Sequence, residues 1–158
     1  MIKLSETDKA YIAGFLDGDG SIISQIIRSN DYKFGFYIRL SIVFIQRTDK
    51  YWFLMKLKDQ IKYGSLRKRN DGISEYVIVS SAPVESLLIE LLPYLKLKKK
   101  LALHVLKIIE SKRNINNDKL LFIEACGLVD ETISMTYSKK RTITQEVVIN
   151  HLNSKNIQ

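Results

Sequence analysis

Apolar residues along this chain switch between helical and alternating spacing, and each switch marks an element. Ser5-Glu6-Thr7-Asp8 has the form of a helix capping box, and Lys9 to Gly18 continues as the predicted helix, ended by Gly20-Ser21. From Ser21 to Ser29 and from Gly35 to Gln46 the period becomes two. Phe36, Ile38, Leu40, Ile42 and Phe44 share one face; Tyr37, Arg39, Ser41 and Val43 share the other. The turn region Asn30-Asp31 and Tyr32-Lys33 join these strands as a long hairpin. Thr48-Asp49 starts a second helix with Trp52, Phe53, Leu57 and Ile61 as core candidates. A second hairpin runs from Tyr63 to Arg69, turns at Asn70-Asp71-Gly72, and returns from Ile73 to Val79.

Pro83 opens a helix carrying Val84, Leu87, Leu88 and Leu91, and Pro93 stops it. The next predicted helix, Leu95 to Lys112, begins with Lys96, Lys98, Lys99 and Lys100. Asn114 to Asn117 is a polar loop, and Asp118 caps a helix to about Met135. Ser138-Lys139-Lys140-Arg141 is a basic connector before a last short helix, Thr144 to Leu152. This order predicts an α+β fold: a four-stranded antiparallel sheet with helices on one face, followed by C-terminal helices. The length fits a single domain over residues 1–158, with a core at about 5–112 and a helical extension at about 117–153.

A composition of 46% hydrophobic and 27% charged residues is that of a globular chain and excludes a disordered one. The single Cys126 rules out an internal disulfide framework and reads as a small buried hydrophobe in a helix. His104 and His151 lie in helical surroundings without a nucleophile motif. No apolar run is long enough to span a bilayer, and Glu6, Asp8 and Lys9 break up any leader-like stretch, so the expectation is an intracellular protein with no membrane partner. Lys plus Arg outnumber Asp plus Glu by 25 to 17, a net charge of +8 that favours a polyanionic partner. The sheet face turned away from the helices carries Gln25, Tyr37, Arg39, Arg67, Arg69 and Glu75 among apolar residues. That mixture suits a solvated face, and equally a two-stranded ribbon reading the DNA major groove.

Chemistry is most concentrated in Asp17-Gly18-Asp19-Gly20-Ser21. A calcium-binding EF-hand loop requires Gly at its sixth position and Glu at its twelfth, where this chain has Ile22 and Arg28, so that reading fails. A haloacid-dehalogenase-type phosphatase places a similar aspartate pair after an apolar strand, but here a capped helix precedes it and the alternating strand-helix pattern is absent. The third reading pairs Gly14 with Gly18. Four residues apart, they share a helical face and admit a second helix at close approach. With one such segment in the chain, that helix comes from a second copy. A two-fold axis then brings two Asp19 carboxylates together at two helix C-termini, an oxygen-rich site for a hard divalent cation.

At these residues the chain resembles the LAGLIDADG homing endonucleases. Tyr11-Ile12-Ala13-Gly14-Phe15-Leu16-Asp17-Gly18-Asp19-Gly20-Ser21 is similar to their defining motif nearly position for position. Phe44-Ile45-Gln46-Arg47-Thr48, Tyr94-Leu95-Lys96-Leu97-Lys98-Lys99-Lys100 and Val105-Leu106-Lys107-Ile108-Ile109-Glu110 extend the likeness, which is closest to the single-motif, homodimeric group of organellar group I introns. The resemblance implies an αββαββα core with a saddle-shaped sheet on double-stranded DNA. It also implies cleavage of both strands of a long pseudo-palindromic site, short 3′ overhangs, and intron mobility.

By position, the resemblance makes Asp19 the metal-binding carboxylate with help from the Gly18 carbonyl. Gln46 positions water, Lys98 stabilises charge at the rim, and Lys50 stands where the group commonly has Arg. It implies Mg²⁺ or Mn²⁺ for cleavage and Ca²⁺ for binding without cleavage. Ala13, Gly14, Asp17 and Gly18 are expected at the dimer interface, Asp17 in a structural role. Base contacts are expected from Gln25, Tyr32, Tyr37, Arg39, Arg67, Arg69 and Glu75, and phosphate contacts from Ser138, Lys139 and Lys140. The alternative within the same fold is a non-catalytic intron-RNA maturase or a DNA-binding relic, which makes intron RNA a further expected partner. Abundant Ile, Lys and Asn favour an organelle, chloroplast or mitochondrion, over bacterial or archaeal cytoplasm.

Overall fold

The computed structural model describes residues 3–137 and 141–155. Ser138, Lys139 and Lys140, the expected phosphate contacts, lie outside the described residues. The elements run α1 (Glu6–Asp19), β1 (Gly20–Arg28), β2 (Phe36–Arg47), a 3-10 turn (Thr48–Lys50), α2 (Tyr51–Ile61), β3 (Ser65–Lys68), β4 (Ile73–Val79), α3 (Ser81–Leu91), α4 (Lys99–Arg113), α5 (Lys119–Glu131), a second 3-10 turn (Thr132–Met135) and α6 (Gln145–Lys155). The strands form one four-stranded sheet in the order β1-β2-β4-β3, antiparallel at the β2–β4 and β3–β4 pairs. This is the expected α+β architecture. By contact density the chain forms two compact units, one built from the chain through Ile23 and Leu40–Ala102, the other from Ser24–Arg39 and the chain from Leu103 onward.

In the first unit, Ser5 caps α1 by accepting the Asp8 N–H, as the capping-box pattern predicts. Ile12, Ala13 and Leu16 turn inward and are fully buried. Phe15 stacks on Phe44 of β2 at 5.7 Å, and Phe44 stacks on Tyr76 of β4 at 5.9 Å, so one aromatic column ties the motif helix to the sheet. The Tyr76 hydroxyl donates to the Tyr63 carbonyl. Leu54, Leu57 and Ile61 of α2 and Val84, Leu87, Leu88 and Leu91 of α3 complete this core.

Three sequence expectations shift. Trp52 is 61% exposed, and Leu54 takes the core position instead. The 3-10 turn Thr48–Lys50 precedes α2 and sets the helix's rotation, a phase that the apolar spacing alone does not define. The helix expected from Leu95 begins at Lys99, and the N–H groups of Lys96, Leu97 and Lys98 just ahead of it donate to the Asp17 carboxylate. Finally, α3 starts at Ser81 and carries Pro83 in its first turn, where an N–H has no acceptor in the helix and its loss costs little. Gly64 has φ of +89°, and a Cβ there would collide with the Val77 carbonyl, so β3 is preceded by a position open only to glycine.

In the second unit, Phe34 of the β1–β2 hairpin stacks on Phe122 of α5 at 5.1 Å. Gly35 has φ of +77°, and a Cβ there would stand 3.0 Å from His151 Nε2, so the hairpin approaches α6 closely. Ser24 shares a 2.9 Å hydrogen bond with Thr132, whose hydroxyl also accepts from Arg141 at 2.9 Å. Cys126 is buried, and burial with the nearby Asp130 carboxylate pushes its thiol up to about 12. It is the inert hydrophobe that the sequence predicts. Among the described residues no helix is long and apolar enough to cross a membrane.

Candidate active site and nucleic-acid interface

The motif helix has two sides of opposite character. Ile12, Ala13 and Leu16 face the core, whereas Tyr11, Gly14 and Gly18 are exposed. A Cβ added at Gly14 or Gly18 would meet nothing within 4 Å, so these glycines serve no packing need of their own chain. Their open groove is what a second helix requires. Ala13 departs from the expected interface set: with its side chain fully buried in the core, it has no surface to offer a second copy.

The two aspartates of the motif have separate roles. Asp17 Oδ2 accepts the N–H groups of Lys96 at 2.8 Å and Leu97 at 3.2 Å, and Oδ1 accepts that of Lys98 at 2.9 Å. The Lys98 Nζ returns the contact by donating to the Asp17 carbonyl at 2.6 Å. Asp17 is therefore the clasp that fixes the Lys96–Lys98 turn, in keeping with a structural role. Asp19 is the last residue of the helix and is exposed. Among the described residues its carboxylate has no hydrogen bond or ion pair, and the last turn of α1 holds no basic residue. A carboxylate at the negative end of a helix dipole raises the energy there unless a cation is present.

That donor set fits a hard divalent cation: one carboxylate, the Gly18 carbonyl at a helix C-terminus, and space for water. Among the described residues of one chain no three His, Cys, Asp or Glu side chains gather at this helix end or at any other place. Lys98 stands beside this helix end through its bond to Asp17. Gln46 is half-buried near the end of β2, opposite Ser74 of β4, and Lys50 is exposed at the end of the 3-10 turn. Between them, the Thr48 hydroxyl bonds Ser74 Oγ at 2.8 Å, and the Thr48 N–H donates to the Gly72 carbonyl at 2.8 Å. Thr48 and Ser74 thus pin the backbone that carries Gln46 and Lys50. Sequence reasoning missed this pair because only the β2–β4 register brings the two residues together.

On the β3–β4 ribbon, Arg67 faces Glu75 in register and bonds it at 2.8 Å. Arg69 reaches Glu75 at 3.3 Å and Asp71 at 2.5 Å. In the second unit, Gln25 and Arg39 are exposed, and Tyr32 stacks on Tyr37 at 4.7 Å. These are the side chains expected to meet bases; each unit presents its own set.

With this geometry in view, comparison with known proteins is direct. Residues 12–112 match the family model of the LAGLIDADG endonucleases. The chain is 42% identical over 138 residues to the DNA endonuclease I-CreI of Chlamydomonas reinhardtii, covering 87% of this chain and 84% of that one. It is 39% identical over 139 residues to the DNA endonuclease I-CvuI of Chlorella vulgaris, covering 88% and 86%. Crystal structures of I-CvuI superpose with a TM-score of 0.91 at 36% identity, over 96% of both chains; one holds its target with calcium, another the I-CreI target, uncleaved, with magnesium. The chain belongs to the LAGLIDADG endonuclease family.

Proposed function

We propose that this chain is a site-specific homing endonuclease that acts as a homodimer on a long pseudo-palindromic DNA target, hydrolysing both strands with divalent cations and leaving short 3′ overhangs. The observation that carries this reading is Asp19: an exposed carboxylate without a partner among the described residues, at the end of a helix whose glycine groove is open. One chain offers one such carboxylate, and pairing through Gly14 and Gly18 brings in the second. The net charge of +8 and relatives solved with DNA, calcium and magnesium support the substrate and the cations.

In this mechanism Asp19 and the Gly18 carbonyl hold the cation, Mg²⁺ or Mn²⁺ for cleavage and Ca²⁺ for binding alone. When bound, the metal supplies activation of water and charge stabilisation at the scissile phosphate. Gln46 orders water by hydrogen bonding, on a strand end held by Thr48 and Ser74. Lys50 and Lys98 place positive charge where the phosphate gathers negative charge. No histidine belongs to this group, so the water's proton leaves through solvent that these side chains order. Recognition comes from Arg67 and Arg69, both paired to Glu75, in the first unit and from Gln25, Tyr32, Tyr37 and Arg39 in the second. An organelle is the proposed compartment, on the strength of the Ile, Lys and Asn usage.

The test is cleavage of a randomised pseudo-palindromic duplex library with Mg²⁺, beside EDTA and Asp19→Asn controls. Discrete double-strand products absent from both controls are the expected result. Tight binding to DNA or intron RNA with no cut in any metal would replace the nuclease by a binding protein of the same fold.

A further inference from the structure

The second unit contains a cavity of about 380 Å³ that no residue assigned to cleavage lines. This volume falls within the range of about 300–1,000 Å³ typical of small-molecule sites. Two stacked aromatic pairs contribute to its walls: Tyr32 on Tyr37, with centroids 4.7 Å apart and planes 22° apart, and Phe34 on Phe122, at 5.1 Å and 24°. Phe34 and Phe122 are buried against each other, so the faces open to a planar ring are those of the half-exposed Tyr32 and the part-buried Tyr37.

The charge of the lining is one-sided. Lys33 and Lys112 are its ionisable aliphatic side chains, and no Asp or Glu lines it. Lys33 Nζ donates to the Asn117 carbonyl at 3.2 Å, which fixes the loop closing one wall. Lys112 Nζ donates to the Ile38 carbonyl at 3.0 Å, and burial holds its ammonium below the usual lysine range. Tyr32 is half-exposed, so the cavity opens to solvent beside a side chain already assigned to DNA.

We propose that this cavity receives a single unpaired nucleotide of the DNA strand, its base stacked on Tyr32 and Tyr37 and its phosphate toward the exposed Lys33. The inference rests on the DNA-reading role of the hairpin that carries Tyr32 and Tyr37, which makes DNA the strand within reach. It adds to that role a pocket that captures a base leaving the stack.

The probe is a short single-stranded DNA with one 2-aminopurine, titrated with the full chain in Ca²⁺ and compared with the matching RNA and a fully paired duplex. Saturable fluorescence quenching with the single-stranded DNA is expected. Ile115→Trp, which fills the cavity from its half-exposed rim, weakens that response about tenfold or more, and so does Tyr32→Leu, which removes one stacking face. Thermal melting of the variants verifies their folding, and Ile115→Phe, a smaller filler at a position with no assigned DNA contact, decides the matter if Ile115→Trp does not fold. Equal titrations for wild type and folded variants, or quenching confined to RNA, would overturn the proposal. Target cleavage by the wild type, measured in parallel, reports separately on the nuclease reading: cutting without quenching removes the pocket alone.

Discussion

The end of the motif helix and the β3–β4 ribbon employ the same residue types in opposite ways. At the helix end, Asp17 binds three backbone N–H groups and Lys98 binds a backbone carbonyl, so charged side chains hold main chain in place. On the ribbon, Arg67, Arg69 and Glu75 pair through side chains, with Arg67 69% exposed, and Asp71 alone also accepts a backbone N–H, that of Ile73. Contacts to main chain fix a shape, whereas exposed ion pairs are worth about 0–1 kcal/mol and exchange readily for other partners. A rigid frame suits a cation site whose geometry must not drift; a loosely paired set suits a surface that trades intramolecular pairs for bases. Asp19 is the exception at the helix end, and its freedom is what the rigid frame delivers.

Breaking the rigid region has the larger consequences. Asp19→Asn should reduce cleavage at least about a thousandfold, the scale on which losing metal activation of water is felt. Thermal midpoint and DNA affinity in Ca²⁺ should stay near wild type, because no fold contact is lost. Unchanged cutting would dissolve the contrast between the two aspartates. Gly14→Leu tests the groove: within its own chain the new side chain meets open space, so the monomer should fold, while sedimentation should show loss of the dimer and cleavage should fail with it. A stable, active dimer would place the interface elsewhere.

Asp17→Ala should cost about 1.5–3 kcal/mol, the range for hydrogen bonds to a charged group, read as a lowered denaturant midpoint. The Lys96–Lys98 turn should then exchange amide hydrogens faster than α3. Loosening the ribbon has a smaller effect of a different kind. Arg67→Ala should leave stability within about 0.5 kcal/mol and cost roughly 1–3 kcal/mol of discrimination per half-site at one symmetric base position. Profiling cleavage across single-base target variants would display it.

Most of the frame was legible in the sequence because local chemistry agrees with the fold. The capping box at Ser5, the period-two run from Phe36 to Phe44 and the Asn70-Asp71-Gly72 turn each report a local preference. The open glycine side of the motif helix was legible because Gly14 and Gly18, four residues apart, share one helical face. What escaped required tertiary information. Nothing near Trp52 encodes the rotation that exposes it, and the N–H groups just ahead of α4 donate to an aspartate almost eighty residues earlier in the chain. The Thr48–Ser74 bond depends on strand register, and the burial of Ala13 in its own chain's core depends on which way the motif helix turns.

The subtlest prediction concerns Glu75. Arg67 and Arg69 share it, and it is the most buried member of the cluster, its side chain 16% exposed. For either arginine to meet a base or a phosphate, its pair with Glu75 must loosen, and a carboxylate remains facing the polyanion. Glu75 thus taxes every DNA sequence, and only a site offering compensating contacts recovers the cost. Glu75→Gln removes the tax at a stability change of under about 1 kcal/mol. Affinity for random duplex should rise, the slope of log affinity against log salt should steepen by about one unit, and preference for the target should narrow. Anisotropy titrations on target and random duplex over a salt series measure all three. If target affinity falls while random affinity holds, Glu75 itself reads a base by accepting from a cytosine amine, and the ribbon's pairs are then less exchangeable than the comparison holds.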